Sequence, residues 1–211
     1  MTITLYDAKM APSPRRARIF MREKQVPFEI KMIDLMKGEH FSEDYRALNP
    51  ECTVPTVALE DGTALTDNAS IAAYFEAAYP DPPLFGRTPQ EKAEIAGWNA
   101  KIERDGLVEI RDGLRNSNPA FADRALTGPH NWSQIPELAE RATARLDLFF
   151  EMLNEHLKGK DFIAGNQFSI ADITGVVTVD FARVLGRKAA EQYDEIARWR
   201  SAIKARPSFS E

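Results

Sequence analysis

The first third of the chain alternates apolar and polar residues in short runs, with one helical run between the first two. Ile3 and Leu5 alternate with polar neighbours, which predicts a strand that ends at Tyr6. Ser13 before Pro14 predicts the start of a helix, with Ser13 as the N-cap and Pro14 at the first helical position. The pattern then predicts a second strand near residues 28–32 and a short helix over residues 42–48.

A further pair of strands and a helix follow in residues 49–79. Val54-Pro55 stands where an extended run begins, and we expect this peptide bond to be cis. Asp61-Gly62 lies between alternating apolar residues and predicts a hairpin turn. Asp67 and Asn68 are favourable first residues for the helix that follows. The resulting order of elements is βαβ, then α, then ββα, which is a thioredoxin-like arrangement.

The same residues predict a binding surface for a short peptide. A cis bond at Pro55 re-aims the backbone and leaves the N–H and C=O of Val54 available to pair with an extended ligand. The free N–H groups and the positive dipole end of the helix that starts at Asp67 favour an anionic ligand group. Strand pairing beside the amino end of a helix is what a short acidic peptide needs.

The rest of the chain has the apolar period of helices. The proline-rich residues 79–86 mark a boundary, so we expect one domain over residues 1–80, a linker over residues 81–87 and a helical domain over residues 88–211. Residues 116–133 are polar and form a longer connection than usual, which makes them a candidate lid or pocket wall. Ser169 and Asp172 have the spacing of a capping box that starts a nearly buried helix.

Composition narrows the classes of partner. The 211 residues carry a net charge of −5, with 9 Lys and Arg against 13 Asp and Glu in residues 1–86 and 18 against 19 in the remainder. Because the chain has no basic stripe, we do not expect it to bind nucleic acid. A single cysteine excludes an intrachain disulfide, and His40, His130 and His156 lack the spacing of metal ligands. We therefore expect no metal.

The distribution of apolar residues also bears on location. Asp7 and Lys9 interrupt the first apolar stretch, so it does not have the pattern of a signal peptide. No apolar run has the length that spans a bilayer. We therefore expect a cytoplasmic protein without a membrane partner.

Several of these motifs resemble those of a known family. The pattern Asn-Pro-x-x-x-Val-Pro from Asn49, followed by Asp-Gly-x-x-Leu-Thr and the acidic Asp67, resembles the glutathione-binding half of soluble glutathione transferases. The capping box at Ser169 resembles the one that starts the core helix of that family. The chain is identified as a member of this family, of bacterial type. The resemblance implies a thioredoxin-like α/β domain followed by an all-α domain, and a homodimer.

The resemblance also assigns binding roles. In that family the residue before the cis-proline pairs with the cysteinyl backbone of glutathione, and an acid followed by a hydroxyl residue binds its γ-glutamyl group. Carried to this sequence, these roles fall to Val54 with Pro55 and to Asp67 with Asn68. The sequence departs from the family at the last pair, because relatives usually have Glu or Gln followed by Ser or Thr.

Two further positions leave alternatives open. His40 and Lys37 lie in the loop where relatives often place a cation for the glycine carboxylate of glutathione, and His40 is the candidate for this role. The alternative is a solvated charged loop, which would have the same composition. Cys52 stands where relatives commonly have Gly. It is either a small core residue or a partner for a mixed disulfide with glutathione.

The candidate catalytic residue is Ser13. The family places a catalytic hydroxyl after the first strand, but an ungapped comparison puts Ala11 on the position of the usual serine. A thiol has a pKa of about 8.5, and lowering it by about 2 units requires about 2.7 kcal/mol of preferential stabilisation of the thiolate. A helix amino end with one hydroxyl donor is able to supply this. Ser13 is the candidate donor, and Tyr6 or a backbone group is the alternative.

The expected function is that of a glutathione transferase, with glutathione as co-substrate. The enzyme would activate the thiol of glutathione for attack on a hydrophobic small-molecule electrophile. The alternative is a non-catalytic glutathione-transferase-like binding module, which Ala11 and Asn68 favour because both depart from the usual hydroxyl residues. A dithiol reductase is excluded, because it needs a Cys-x-x-Cys pair.

Overall fold

The structure is a computed structural model that describes residues 2–210. The chain divides into two compact units. The first unit comprises the chain through Pro82 together with Thr127–His130, and the second comprises Pro83–Leu126 and the chain from Asn131 onwards.

The first unit contains a four-stranded mixed sheet in the order β2-β1-β3-β4. Strands β1 and β2 are parallel, whereas β1 with β3 and β3 with β4 are antiparallel. This topology confirms the predicted thioredoxin-like arrangement. Its elements are β1 (Thr4–Asp7), α1 (Pro12–Glu23), β2 (Glu29–Met32), a 3-10 turn (Glu39–Phe41), α2 (Glu43–Leu48), β3 (Thr56–Ala58), β4 (Ala64–Leu65) and α3 (Asn68–Ala78).

The apolar pattern explains how this unit is held together. Leu5 and Val57 are fully buried and lie opposite each other in the sheet. Helices α1 and α3 bury apolar residues at helical spacing, including Phe20 on α1 and Ile71 and Phe75 on α3. Burial of side chains of this size stabilises the fold by about 1.5–3 kcal/mol each. The core of the unit therefore fixes the strand ends from which its loops emerge.

Helix α1 begins earlier than the sequence predicts. Its N-cap is Ala11 and its first helical residue is Pro12, so the prediction of Ser13 as the N-cap is wrong. The physical reason is that the first residues of a helix need no N–H, because their amides have no intrahelical acceptor. Pro12 and Pro14 both fit in this first turn, and a proline pair cannot by itself identify which member comes first.

The second unit is helical. Its α-helices are α4 (Pro89–Ile102), α5 (Val108–Ser117), α6 (Pro136–His156), α7 (Ile170–Phe181), α8 (Ala189–Gln192) and α9 (Asp194–Lys204). Helix α7 is buried over most of its length, from Ile170 to Val179, which confirms the prediction of a nearly buried helix. The predicted capping box is present, with Ser169 as N-cap and Asp172 at N3. The α/β and all-α composition of the two units confirms the predicted fold class.

Two features of this unit differ from a simple helical pattern. A π-helical segment, Glu103–Leu107, separates α4 from α5, so that the long periodic run is one continuous helix with a local bulge. Residues 116–133 are not structureless. The end of α5, a 3-10 turn at Pro119–Phe121 and a bridge between Arg124 and Trp132 occupy them.

Candidate functional site

Sheet topology brings three segments of the first unit to one edge. Strand β1 runs towards α1 and ends at Asp7, and Tyr6 pairs with Thr56 at the start of the antiparallel β3. Strand β4 is antiparallel to β3, with Leu65 opposite Val57, so β4 ends near the start of β3. The amino end of α1, the Val54-Pro55 loop and the amino end of α3 therefore emerge at the same edge of the sheet.

The Val54-Pro55 peptide bond is cis, as predicted. Pro55 is buried and Val54 is half-buried. Within residues 2–210, neither the N–H nor the C=O of Val54 forms a hydrogen bond. The backbone of Val54 therefore keeps both of its hydrogen-bonding groups available for an extended ligand.

Two buried side chains that the sequence analysis did not assign hold this loop. Asn49 is 0 % exposed, and its Nδ2 donates to the carbonyl of Thr53 at 3.0 Å and to Oγ1 of Thr56 at 2.9 Å. The hydroxyl of Tyr45 donates to the same Thr53 carbonyl at 2.6 Å. Burial raises the pKa of the Tyr45 phenol, which keeps this donor protonated. The residue directly before Val54 is thus held by two donors.

Cys52 belongs to the same loop. Cys52 is 2 % exposed, and its Sγ lies 3.5 Å from the carbonyl of Pro50. Its φ angle of 51° lies in the left-handed region, which glycine adopts more easily than other residues. This conformation gives a physical reason for the Gly that relatives commonly have there. The burial of Cys52 favours the interpretation as a core residue.

The amino end of α3 carries an exposed capping box. Asp67 is the N-cap, and its Oδ1 accepts a hydrogen bond from the N–H of Ser70 at 2.8 Å. The N–H of Asp67 donates to Oγ of Ser70 at 3.4 Å, and that hydroxyl donates to the carbonyl of Asp67 at 3.0 Å. Asn68 is the first helical residue, one position after the predicted start at Asp67. Oδ2 of Asp67 has no hydrogen bond to any described residue.

The amino end of α1 has no such box. Ala11 offers no side-chain cap, and its own N–H donates to the carbonyl of Ala8 at 2.9 Å. Pro12 and Pro14 have no N–H, so Ser13 supplies the remaining amide of the first turn. Neither this amide nor the Ser13 hydroxyl has a hydrogen-bond partner in the described part of the chain. Two donors of one residue are therefore available at this helix end.

The other candidate residues lie in the same unit. Tyr6 is half-buried in β1, and its ring contacts that of Tyr45 edge-on at a centroid distance of 5.7 Å. His40 lies in the 3-10 turn, where its ring packs on Phe41 at a centroid distance of 3.8 Å. Lys37 is exposed and pairs with Asp34 at 3.3 Å. The parallel pairing of Met32 with Asp7 directs the loop that leads to His40 to the same edge of the sheet.

Two other kinds of site are absent from the residues that the structure describes. No group of three or more His, Cys, Asp or Glu side chains is arranged to hold a metal ion. No helix in residues 2–210 has the length and apolarity needed to cross a membrane.

The fold is thus a thioredoxin-like domain, with an open cis-proline loop, followed by a helical domain. The family model for the glutathione S-transferase N-terminal domain matches residues 11–78, and that for the glutathione S-transferase C-terminal domain matches residues 117–207. The chain therefore belongs to the glutathione S-transferase family, which is a family of enzymes.

Individual relatives support this membership along the whole chain. Glutathione S-transferase 2 of Saccharomyces cerevisiae is 29 % identical over 207 residues, which cover 97 % of this chain and 86 % of that protein. The crystal structure of a glutathione S-transferase domain-containing protein of Marinobacter aquaeolei has a TM-score of 0.87 and 30 % identity, and covers 98 % of this chain and 100 % of that one. Gtt2 of Saccharomyces cerevisiae has a TM-score of 0.86 and 28 % identity, with 98 % of each chain covered.

Proposed function

We propose that this protein is a glutathione transferase that binds glutathione at the shared sheet edge and activates its thiol. The observation that carries the proposal is the meeting, at this edge, of one open strand-like backbone and two helix amino ends. A tripeptide with two carboxylates, an ammonium and a thiol presents groups that each of these segments is able to bind.

The binding roles follow from the donors and acceptors available. The N–H and C=O of Val54 pair with the cysteinyl backbone of glutathione, beside the buried Pro55. Oδ2 of Asp67 accepts from the γ-glutamyl ammonium, and the α3 amino end with Asn68 binds the adjacent carboxylate. His40 faces the glycine carboxylate. This last assignment depends on the position of its loop alone.

The reaction requires a thiolate, and the amino end of α1 is the segment that would stabilise it. The dipole of α1 and the two donors of Ser13 favour the negative sulfur over the neutral thiol. The thiol proton passes to solvent, the sulfur lone pair forms a bond to the electrophilic carbon, and a leaving group departs with its bonding pair. In an addition reaction no group leaves, and the electron pair of the attacked π bond stays on the electrophile.

Three further properties are proposed with the function. The second substrate is a small hydrophobic electrophile, the protein is a homodimer, and its location is cytoplasmic. Light scattering of the purified protein tests the dimer, and a mass of one chain of 23.7 kDa would reject it.

Titration calorimetry with glutathione tests the binding step. We expect saturable binding, and S-methylglutathione should bind with a similar pattern because it keeps the same peptide backbone. Absence of binding at millimolar glutathione would reject the proposed function. The ultraviolet absorption of the thiolate, followed against pH, then gives the pKa of the bound thiol, which we expect well below about 8.5.

Two variants of Ser13 separate its side chain from its backbone. Ser13→Ala removes the hydroxyl alone, whereas Ser13→Pro also removes the N–H at a position where helices tolerate proline. If the hydroxyl is the main donor, both variants raise the thiol pKa by about 1 unit. If the amide is the main donor, only Ser13→Pro does so. A thiol pKa that neither variant changes would exclude Ser13 from catalysis.

The second candidate function is a non-catalytic glutathione-binding module. Ala11 on the position of the usual serine, and the lack of a side-chain cap there, favour it. Such a module would bind glutathione but leave the thiol pKa at its free value. The same pH titration therefore separates the two functions.

A further inference from the structure

A buried ion pair joins the last residue of β1 to the middle of α1. Asp7 is 1 % exposed and Arg18 is 8 % exposed. Nη1 of Arg18 donates to Oδ2 of Asp7. Oδ1 of Asp7 is also buried and has no hydrogen-bond partner among the described residues.

Stability alone does not explain this pair. The loss of hydration of two buried charges offsets much of their attraction, and apolar replacements of such pairs are often neutral or stabilising. A buried carboxylate oxygen without a donor adds a further destabilising contribution. A buried pair of this kind is better explained by the geometry that it imposes.

The pair encloses the turn that leads to the candidate thiolate site. The carbonyl of Asp7 accepts from the N–H of Ile33 at 2.7 Å, so the end of β1 is also fixed on its backbone side. The chain then turns through residues 8–11, where the N–H of Ala11 donates to the carbonyl of Ala8 at 2.9 Å, and enters α1. Asp7 and Arg18 therefore fix the helix on the far side of a turn that has no side-chain cap.

The position of Arg18 on α1 affects where the donors of Ser13 lie. Ser13 lies five residues before Arg18, which corresponds to about 7.5 Å along the axis at a rise of about 1.5 Å per residue. A small tilt or rotation of α1 at Arg18 displaces the donors of Ser13, and sites of this kind require donors within about 0.5 Å of their productive position. Catalytic electrostatics is sensitive to such displacements.

We propose that Asp7 and Arg18 are positioning residues that hold the amino end of α1 where it stabilises the glutathione thiolate. The inference rests on the proposed function, because it requires the sulfur to lie at that helix end. Neither residue contacts the ligand in this proposal. Both act through the placement of Ser13.

The test compares the signs of the shifts in thiol pKa that two substitutions cause. Asp7→Asn and Arg18→Met each break the pair, and the pKa of the bound thiol is measured from thiolate absorption. If the residues act by position, both variants raise this pKa, by roughly 0.5–1 unit. If they act only as charges through space, Asp7→Asn lowers the pKa and Arg18→Met raises it. Shifts of opposite sign would overturn the proposal.

A matched control uses the other end of the same helix. Lys24 is buried at the C-cap of α1 and pairs there with Glu76 of α3. Lys24→Met therefore removes a buried cation and its ion pair from α1 at the end remote from Ser13. It should lower the melting temperature without changing the thiol pKa. A shift as large as that of Asp7→Asn would show that general destabilisation is responsible, and would also overturn the proposal.

The double variant Asp7→Asn with Arg18→Met covers the case in which a single variant does not fold. It leaves no unpaired buried charge, so it should remain folded. Positioning predicts a raised thiol pKa in this variant. Direct charge effects predict almost no shift in the thiol pKa, because the effects of removing the two opposite charges cancel. If the wild-type protein binds no glutathione, the proposed function is rejected. If the wild type is active and the variants have the same thiol pKa as the wild type, this inference alone is rejected.

Discussion

Helices α3 and α7 both begin with a capping box of one Asp and one Ser, and the two boxes lie in opposite surroundings. The Asp is the N-cap of α3 but the N3 residue of α7. At α7 both partners, Ser169 and Asp172, are 0 % exposed. Oδ1 of Asp172 accepts from the N–H of Ile163 at 2.9 Å and from Nε1 of Trp199 at 3.0 Å. Its Oδ2 accepts from the N–H of Ser169 at 3.0 Å and from Oγ of Ser169 at 3.2 Å.

At α3 the acid is exposed and mostly unused. Asp67 accepts from the N–H of Ser70 through Oδ1, and its Oδ2 has no bond to a described residue. The presence of a capping box therefore does not by itself determine what its acid does. A buried acid whose lone pairs are all occupied contributes to stability, whereas an exposed acid with a remaining oxygen is able to bind a ligand.

The largest effect is expected at the buried box. Asp172→Ala leaves the amide of Ile163, the indole of Trp199 and the start of α7 without their acceptor. We expect the free energy of unfolding to fall by about 3–5 kcal/mol at about pH 5, because each buried donor without a partner costs about 1–3 kcal/mol. Urea unfolding measures this. A loss below about 1 kcal/mol would contradict the conclusion that the buried acid of this box contributes to stability.

The exposed box should show the reverse pattern. Asp67→Ala should weaken glutathione binding by about 10–100-fold, or about 1.4–2.8 kcal/mol, because a charged hydrogen bond is lost. Its cost in stability should be only that of an N-cap, about 1 kcal/mol. Calorimetry and urea unfolding of the same variant measure the two effects.

Thr88→Ala is the matched control for Asp67→Ala. Thr88 is the exposed N-cap of α4 and forms a capping box with Glu91, but it belongs to no candidate site. It should therefore cost about as much stability as Asp67→Ala, about 1 kcal/mol, and leave glutathione binding unchanged. Equal affinities of the two variants would mean that Asp67 only caps α3.

The predictability of these two boxes from sequence also differs. The box at Ser169 is contiguous, and its spacing alone predicts both partners. At Asp67 the pattern predicts the helix start, but Ser70 was not predicted as the residue that completes the capping box with this acid. The neighbouring hairpin follows from its Asp61-Gly62 turn, and both the hairpin and the expected cis bond at Val54 are present.

Features that depend on contacts distant in sequence were not predicted. Asn49 and Tyr45 hold Thr53 through hydrogen bonds that no local pattern encodes. Within the π-helical segment, Gly106 packs closely against α7, because a Cβ there would lie 2.7 Å from Cγ2 of Thr178. Apolar period identifies the long helix but is too coarse to reveal one extra residue within it. For the hydrogen bonds of Asn49, the only local signal was the presence of a polar residue directly before a proline.

The pH dependence of the buried box provides a smaller test. Burial raises the pKa of Asp172 from 3.8 to about 6, although hydrogen bonds from Ile163, Trp199 and Ser169 oppose this. Since the folded chain then binds more protons than the unfolded chain between about pH 4 and pH 6, the contribution of Asp172 is complete at low pH and is lost as pH rises through about 6.

The measurement is a difference between two proteins. The gap in unfolding free energy between wild type and Asp172→Ala should narrow by about 1 kcal/mol from about pH 5 to about pH 7.5. Taking the difference removes the contribution of carboxylates that both proteins share. A gap that widens over this range would show that the hydrogen bonds outweigh burial at Asp172.

The smallest effect comes from adding a box where the structure has none. Ala11 has the extended backbone of an N-cap, with φ −86° and ψ 134°, but no side-chain acceptor. Ala11→Asp should cap α1 and raise the free energy of unfolding by about 0.5–1 kcal/mol. The new carboxylate should also repel the thiolate by about 1 kcal/mol, which raises the thiol pKa by somewhat less than one unit.

Ala11→Ser separates the two consequences of that change. It supplies a neutral cap, so it should stabilise the helix to a similar extent without raising the thiol pKa. The melting temperature and the thiol pKa are measured for both variants, the latter from thiolate absorption. An uncapped α1 end beside the thiolate predicts a higher melting temperature for both variants and a raised thiol pKa for Ala11→Asp alone. If Ala11→Asp stabilised the protein and left the thiol pKa unchanged, the sulfur would not lie at α1, and the lack of a cap there would have no role in binding it.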